Sequence, residues 1–218
     1  LGLPRFMQNP ISHTEEHSRM GVFARDAVIG LSDGLTVPFA IAAGLASAGS
    51  SATSIIVTAV LAEVAAGSIS MGLGGYLAAQ TDADRYDAER RREEHEVEHK
   101  RDVEEAETVA IFQSYGLSEG EGRALVSKLS QRKKSWVDFM MRFELGLEKP
   151  DRRQSFWTAL TMGVAYIVGG IIPLSPYFFI PDVSRAFVVS AGMTALALAV
   201  FGYFRGKLVV GRPWKSVV

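Results

Sequence analysis

The stretch that decides the fold is an apolar run at residues 53–79, which reads TSIIVTAVLAEVAAGSISMGLGGYLAA. As an α-helix this run extends roughly 40 Å, more than the ~30 Å hydrocarbon core of a bilayer. Glu63 is the one formal charge in the run. A carboxylate at that depth is costly unless it faces a partner or a water-filled cavity, and it commonly marks an ion or proton path. The alternative is a structural Glu63 that is hydrogen-bonded inside a helix bundle.

Three further apolar runs have the length and composition of membrane spans, at residues 27–48, 156–174 and 186–204. The first of them carries a second acid, Asp33. A short uncharged link joins it to the run at 53–79, which predicts a helical hairpin. Most of the 21 Gly residues lie in the apolar parts, as is typical of closely packed membrane helices. We therefore predict an all-α fold, a polytopic membrane helix bundle.

Charged residues are concentrated between the second and third apolar runs. Residues 81–155 hold 18 of the 24 acids and 15 of the 23 Lys and Arg residues. This pattern divides the chain into an N-terminal lead-in at 1–26, a transmembrane hairpin at 27–80, an inserted helical domain at 81–155 and a two-span C-terminal part at 156–218.

The inserted domain is expected to consist of two helices. Residues 82–114 contain no Pro or Gly and suit one solvated helix, which can continue the second span without a break. A Gly-rich loop is expected at 116–122, and a second helix is expected at 123–147, ended by Gly146 and then Pro150.

Lys and Arg clusters flank one side of the predicted spans, whereas Arg185 stands alone on the other side. By the positive-inside rule, the N-terminus, the inserted domain and the C-terminus are predicted to be cytosolic. The net charge of -1 argues against nucleic acid as the main partner. The absence of Cys excludes a disulfide framework and thiolate metal sites.

Four glutamates share one face of the first charged helix: Glu93, Glu96, Glu104 and Glu107. They fall within an arc of roughly 80°, and each i,i+3 pair can hold one hard cation. On an unbroken helix the two pairs are ~16 Å apart, so one ion reaches all four only if the helix folds back on itself. Two or more metals, or ligands shared across a dimer, would also fit. The alternative is a solvated face with intrahelical ion pairs.

The second charged helix offers two thioethers beside a carboxylate: Met140, Met141 and Glu144. A thioether is a soft ligand that shifts a carboxylate site from Mg²⁺ and Ca²⁺ towards later transition metals. The alternative is that both methionines fill a core. His95 and His99 are also four residues apart, but they lie on a different arc from the four glutamates, so we expect a surface role for them.

Small residues surround Glu63 and Met71 at four-residue spacing in the second span: Ala59, Gly67 and Gly75. Such a stripe lets a neighbouring helix approach closely, and it leaves room for an ion to pass. The alternative for Met71 is ordinary packing.

Four ordered motifs stand out in the chain. They read RDAVIGLSDGLTVPF at 25–39, AEVAAGSISMGLGGYL at 62–77, FMMRFELGLEKP at 139–150 and GGIIPL at 169–174. These segments resemble those of the plant-type vacuolar iron transporters, and the resemblance runs from about His13 to the C-terminus. It implies a transporter rather than an enzyme, a homodimer in the vacuolar membrane that moves Fe²⁺ from the cytosol into the vacuole in exchange for protons.

The resemblance also implies roles for individual residues. Asp33, Glu63 and Met71 would line a path at the two-fold axis, between the first and second spans. The cytosolic domain would bind metal through Glu93, Glu96, Glu104, Glu107, Met140, Met141 and Glu144. No catalytic residue and no cofactor is implied; Fe²⁺ is the substrate, for which Zn²⁺, Mn²⁺, Co²⁺ or Ni²⁺ could substitute. The resemblance further implies a fifth span after a GRPW motif, which is present at 211–214, but the sequence ends at Val218, before such a span.

Three other functions stay open at this point. The same ligands could serve a Mn²⁺ or broad divalent-metal exporter. A membrane-anchored carboxylate iron oxidase would use Glu-x-x-His spacing on paired helices. No such pair occurs among the proposed ligands, although Glu96 and His99 have that spacing by themselves. A structural adaptor with a charged docking arm would leave Asp33 and Glu63 unexplained.

Overall fold

The computed structural model describes residues 12–49 and 52–205, and this part of the chain is all-α, as predicted. Its helices are α1 (Ser12–Ser47), α2 (Thr53–His99), α3 (Arg101–Ser114), α4 (Glu119–Leu129), α5 (Lys133–Phe143), α6 (Arg152–Leu174), α7 (Pro176–Phe179) and α8 (Val183–Arg205). The start of the predicted lead-in, residues 1–11, lies outside the described residues. So does the GRPW motif.

Four of these helices are long and apolar enough to cross a membrane: α1 over Gly21–Ser47, α2, α6, and α8 over Val183–Tyr203. The four spans predicted from hydropathy are therefore confirmed by length and composition. α1 begins well before the predicted start at residue 27, because hydropathy detects only the apolar part of a helix and the polar residues ahead of it can also be helical.

The chain forms two compact units. We call Leu1–Leu77 together with Ser155–Val218 the span unit, and Ala78–Gln154 the charged unit.

Glycines bring the backbones of α1 and α6 into contact in the span unit. A Cβ atom on Gly34 would lie 2.3 Å from the carbonyl oxygen of Tyr166. From the other side, a Cβ atom on Gly169 would lie 2.8 Å from the carbonyl oxygen of Leu31. Small residues at such positions are how membrane helices approach each other closely.

The same helix, α6, also packs on α2 through glycines. A Cβ atom on Gly163 would lie 3.1 Å from the carbonyl oxygen of Ser68, and one on Gly72 would lie 3.1 Å from that of Ala159. Because α6 contacts both α1 and α2, it fixes how the acids of these two helices are placed.

We expect Gly34→Ala to destabilise the protein by about 1–3 kcal/mol, because the added methyl group overpacks a backbone contact. Thermal unfolding in detergent measures the effect. The matched control is Gly44→Ala in the same helix, where a Cβ atom would meet nothing within 4 Å. That change should be neutral or stabilising by up to about 1 kcal/mol. Equal melting temperatures for the two variants would contradict the packing described here.

The charged unit has its own core, built around Trp136 of α5 with Tyr86 and Val97 of α2. A buried hydrogen-bond relay ties α5 to α3. The indole Nε1 of Trp136 donates to Thr108 Oγ1 at 2.8 Å, and Thr108 Oγ1 donates to the carbonyl oxygen of Glu104 at 2.7 Å.

We expect Thr108→Val to destabilise the charged unit by about 1–3 kcal/mol, because the buried indole N–H loses its acceptor. Ser127→Ala is the matched control, since the exposed Ser127 hydroxyl makes a comparable bond to the carbonyl oxygen of Ala124 at 2.9 Å. The control should change stability by less than about 0.5 kcal/mol. Thermal unfolding followed by circular dichroism compares the two, and equal shifts would argue against the relay.

The prediction of one helix at 82–114 was wrong. The helix breaks at Lys100, where φ is -128°, and neither Gly nor Pro marks the position. Hydrogen bonding continues on both sides, since the Lys100 N–H donates to the Glu96 carbonyl oxygen at 2.7 Å and the Lys100 carbonyl oxygen accepts from the Glu104 N–H at 3.1 Å. The break lets both arms contact Trp136, and such tertiary packing overrides local helix propensity.

The prediction of one helix at 123–147 was also wrong, because this segment contains α4 and α5. α4 begins at Glu119, inside the expected loop, where Ser118 and Glu121 form a capping box. The chain turns at residues 130–132, and the buried Ser130 hydroxyl accepts from the Arg101 guanidinium at 3.0 Å. α5 ends at Phe143, ahead of Gly146.

Candidate metal centre

Three glutamates from three helices meet in the charged unit. Glu93 lies on α2, Glu104 lies on α3, and Glu144 is the C-cap residue of α5. One carboxylate oxygen from each lies within 4.8 Å of the others. Glu93 and Glu104 are buried, whereas Glu144 is exposed. We call these three residues the carboxylate cluster.

The turn at Lys100 creates the cluster. On a straight helix, Glu93 and Glu104 would be ~16 Å apart along the axis, beyond the reach of one ion. The chain instead folds back on itself, which is the arrangement that the sequence analysis required for a shared ion. The end of α5 then adds Glu144, and a set of three carboxylates is a suitable oxygen donor set for a hard or borderline divalent cation.

The buried members of the cluster lack hydrogen-bond partners for some of their oxygens. Glu93 Oε1 and Glu104 Oε2 are buried and unpartnered. Burying carboxylates in this way is costly unless a cation or a proton neutralises them. The donor set and its unpartnered atoms therefore fit a metal ion.

The pKa values of the cluster respond to this crowding. Burial, followed by the charge of Glu104, raises the pKa of Glu93 to about 8. Burial also raises the pKa of Glu104 and that of Glu144, and the charge of Glu107 adds to both shifts. The cluster thus retains a proton at neutral pH, and a divalent cation would displace that proton.

Glu96 and Glu107 lie near the cluster but are not among its three converging carboxylates. Glu96 pairs with Lys100 at 2.9 Å and with Arg92 at 3.4 Å, and the Lys100 contact lowers its pKa. Glu107 is exposed to solvent. Both residues add negative charge around the cluster.

Met140 and Met141 are buried in the core of the charged unit. The sulfur of Met140 lies 3.2 Å from Oγ1 of Thr108, and Thr108 follows Glu104 by one turn of α3. The structure therefore places both methionines as core residues and Met140 beside the segment of α3 that carries Glu104.

In the span unit, Glu63 is held from one side. The Tyr166 hydroxyl donates to Glu63 Oε1, while Glu63 Oε2 is buried and has no hydrogen-bond partner. Gly67 makes room for the tyrosine, because a Cβ atom there would lie 2.5 Å from its ring. Asp33 and Met71 are both half-buried.

Tyr166 was not predicted as a site residue. This residue is a hydroxyl-bearing side chain in the middle of the third apolar run, and a buried Tyr O–H usually has a partner. That rule could have drawn attention to the residue, but the partner itself, Glu63, lies on another helix and could not be read from the spacing.

Asp26 was also missed as a site residue, although it lies within the motif at 25–39. It is 1% exposed, pairs with Arg25 at 3.1 Å and accepts from Thr158 Oγ1 at 2.7 Å. Asp26 was placed at the end of the predicted lead-in at 1–26, and no role was predicted for it. In the structure, Asp26 instead ties α1 to α6.

Comparison with known proteins supports a single family. The sequence matches the VIT family over residues 24–218. Vacuolar iron transporter 1 of Eucalyptus grandis is 49% identical over 206 residues, covering 94% of this chain and 82% of that protein. Vacuolar iron transporter 1 of Oryza sativa subsp. japonica is 48% identical, covering 100% and 88%. Protein CCC1 of Saccharomyces cerevisiae is 37% identical, covering 85% and 58%. The chain therefore belongs to the VIT family.

Proposed function

We propose that this protein carries Fe²⁺ from the cytosol across the vacuolar membrane in exchange for protons. The family membership supports the proposal, since the relatives from Eucalyptus grandis and Oryza sativa subsp. japonica are named vacuolar iron transporters. The single observation that carries it is Glu63, a carboxylate within an apolar helix with one buried oxygen that has no partner. Such a group in a membrane is costly and is typical of an ion path.

The carboxylate cluster supports a role in collecting the ion. We assign the charged unit to the cytosol, because Lys and Arg clusters flank the spans on that side. Its acidic surface would raise the local concentration of Fe²⁺. Glu93, Glu104 and Glu144 would bind the ion directly, and Glu96 and Glu107 would add charge.

Within the membrane we propose a path past Met71 and Glu63 and then past Asp33. A thioether beside two carboxylates favours Fe²⁺ over Mg²⁺. Protons and the metal ion compete for carboxylate oxygens, so proton binding from an acidic lumen would release the metal there. This competition would couple the two fluxes.

We further propose that the protein works as a homodimer embedded in lipid, with the path at the two-fold axis. Much of the span surface is apolar and exposed in the single chain, including Ile69, Leu73 and Leu77 of α2. Lipid and a second copy would together cover this surface.

Mn²⁺ is the second candidate substrate. The carboxylate cluster offers only oxygen ligands, which suit Mn²⁺ as well as Fe²⁺. The geometry of the cluster does not distinguish the two metals as substrates, whereas flux measurements in proteoliposomes do.

Flux into proteoliposomes with an acidic interior tests the function and its coupling together. We expect Fe²⁺ uptake that raises the internal pH, and we expect it to stop when an ionophore collapses the pH gradient. Parallel runs with Mn²⁺ and Zn²⁺ rank the substrates. Uptake that ignores the gradient would contradict proton exchange, whereas oxygen consumption with Fe²⁺ and no uptake would indicate an oxidase.

A further inference from the structure

Away from the carboxylate cluster, two histidines form a pair near the end of α2. His95 and His99 are both exposed, and their rings are stacked 13° from parallel with centroids 4.0 Å apart. Two histidines at positions i and i+4 lie on one helix face, and helices use this spacing to bind zinc through two imidazoles. Both rings are therefore open to an ion from solution and lie next to each other.

A backbone contact orients one of the rings. Nδ1 of His99 lies 2.9 Å from the carbonyl oxygen of His95. A carbonyl oxygen can only accept, so Nδ1 carries the proton of the neutral ring and Nε2 keeps the free lone pair. A hydrogen bond of this kind from the other ring nitrogen is how proteins usually orient a metal-binding histidine.

Glu98 adds a negative charge beside the pair. It lies three residues after His95 and one before His99, and it is therefore on the same side of α2. Its Oε1 atom accepts from Lys133 Nζ, which holds the carboxylate in place at the surface of the charged unit. The carboxylate favours the approach of a cation, although Lys133 offsets part of that effect.

We propose that His95 and His99 form a second metal site that takes a late divalent transition metal such as Zn²⁺, Ni²⁺ or Cu²⁺. The lone pairs of two nearly parallel rings do not converge on one point, so the His95 ring must turn about its side-chain torsions to reach an ion held by His99. The two Nε2 atoms are then the protein ligands, and water completes the coordination shell because both rings are exposed. Imidazole suits these metals and not Mg²⁺ or Ca²⁺, whereas the carboxylate cluster supplies oxygen alone. The site does not depend on the proposed transport function.

The chain contains four histidines, and the other two are His13 and His17. The test therefore uses the full chain in detergent, purified without a polyhistidine tag and carrying His13→Gln and His17→Gln in every variant. We expect electron paramagnetic resonance of bound Cu²⁺ to show two nitrogen ligands. His99→Gln should leave one, and His95→Gln with His99→Gln should leave none.

Calorimetry with Ni²⁺ gives the matching affinities. Loss of an outer-shell partner of a metal ligand commonly lowers the metal affinity about 10- to 100-fold. Loss of the ligand itself should therefore lower the Ni²⁺ affinity at least roughly tenfold. We expect that loss for His99→Gln, whereas Glu104→Gln should leave this Ni²⁺ class unchanged. Unaltered Ni²⁺ affinity and unaltered nitrogen couplings in the double variant would overturn the proposal.

Discussion

Glu63→Gln is expected to reduce metal flux into proteoliposomes by roughly 100-fold or more. Two unit charges ~4 Å apart interact by about 4 kcal/mol at an effective dielectric constant of 20, and the amide gives up that attraction. The substitution is nearly isosteric, and its carbonyl oxygen can still accept from the Tyr166 hydroxyl. The fold should therefore persist, and initial rates of Fe²⁺ uptake measure the loss of the charge alone.

Two further variants sharpen this test. Glu63→Asp keeps the charge and should retain part of the flux, while Ser70→Ala, at an exposed position of the same helix, should behave like the wild type. Thermal unfolding of all three proteins checks that they fold. If Glu63→Gln transports as well as the wild type, Glu63 does not lie on the path.

Mn²⁺ binding by the full chain in detergent is expected to weaken steeply as the pH falls below about 8. The cause is the raised pKa of Glu93, which burial and the charge of Glu104 lift to about 8. Below that pH the carboxyl holds a proton that the ion must displace, so affinity should drop by about tenfold per pH unit for each proton released. Calorimetry between pH 6 and 8 in buffers of different ionisation enthalpy measures both the affinity and the protons released.

Glu93→Gln should bind Mn²⁺ roughly 100-fold more weakly, since it loses one carboxylate of three, and it should show a flatter pH dependence. Glu119→Gln removes an exposed carboxylate of α4 and serves as the matched control, with unchanged affinity and slope. A pH-independent affinity in the wild type would show that the cluster does not exchange protons for metal.

The same pKa shift affects the stability of the metal-free protein. The pKa of Glu93 is about 8 in the folded state against its ordinary value of 4.5, so the folded state holds the proton more tightly. Its contribution is thus fully present below about pH 4.5 and is lost as the pH rises to about 8. Bound metal should reverse this trend, because it replaces the proton.

The sequence predicted the broad architecture well, because hydropathy and charge are local properties. The run at 53–79 was long enough to cross a bilayer, and α2 contains it from its first residue. Charge is concentrated in residues 81–155, and the charged unit spans Ala78–Gln154. Two of the four glutamates on one arc, Glu93 and Glu104, belong to the carboxylate cluster.

Hydropathy and charge did not reveal how the side chains of the carboxylate cluster and of the Glu63 site come together. The turn at Lys100 carries no Gly or Pro, and it exists because both arms of the chain pack against Trp136. Glu96 forms an ion pair with Lys100 and does not join the carboxylate cluster, which is a consequence of side-chain geometry. The bond from Tyr166 to Glu63 joins residues 103 positions apart.

The amino-acid sequence by itself determined that the chain is helical, which four segments are apolar enough to enter a bilayer, and which carboxylates lie in or near them. Tertiary structure alone decided that Glu144 joins Glu93 and Glu104, and that Tyr166 holds one oxygen of Glu63 while the other stays unpartnered. The physical reason is that helix formation and membrane partition depend on neighbours along the chain, whereas convergence of side chains depends on how helices pack against each other.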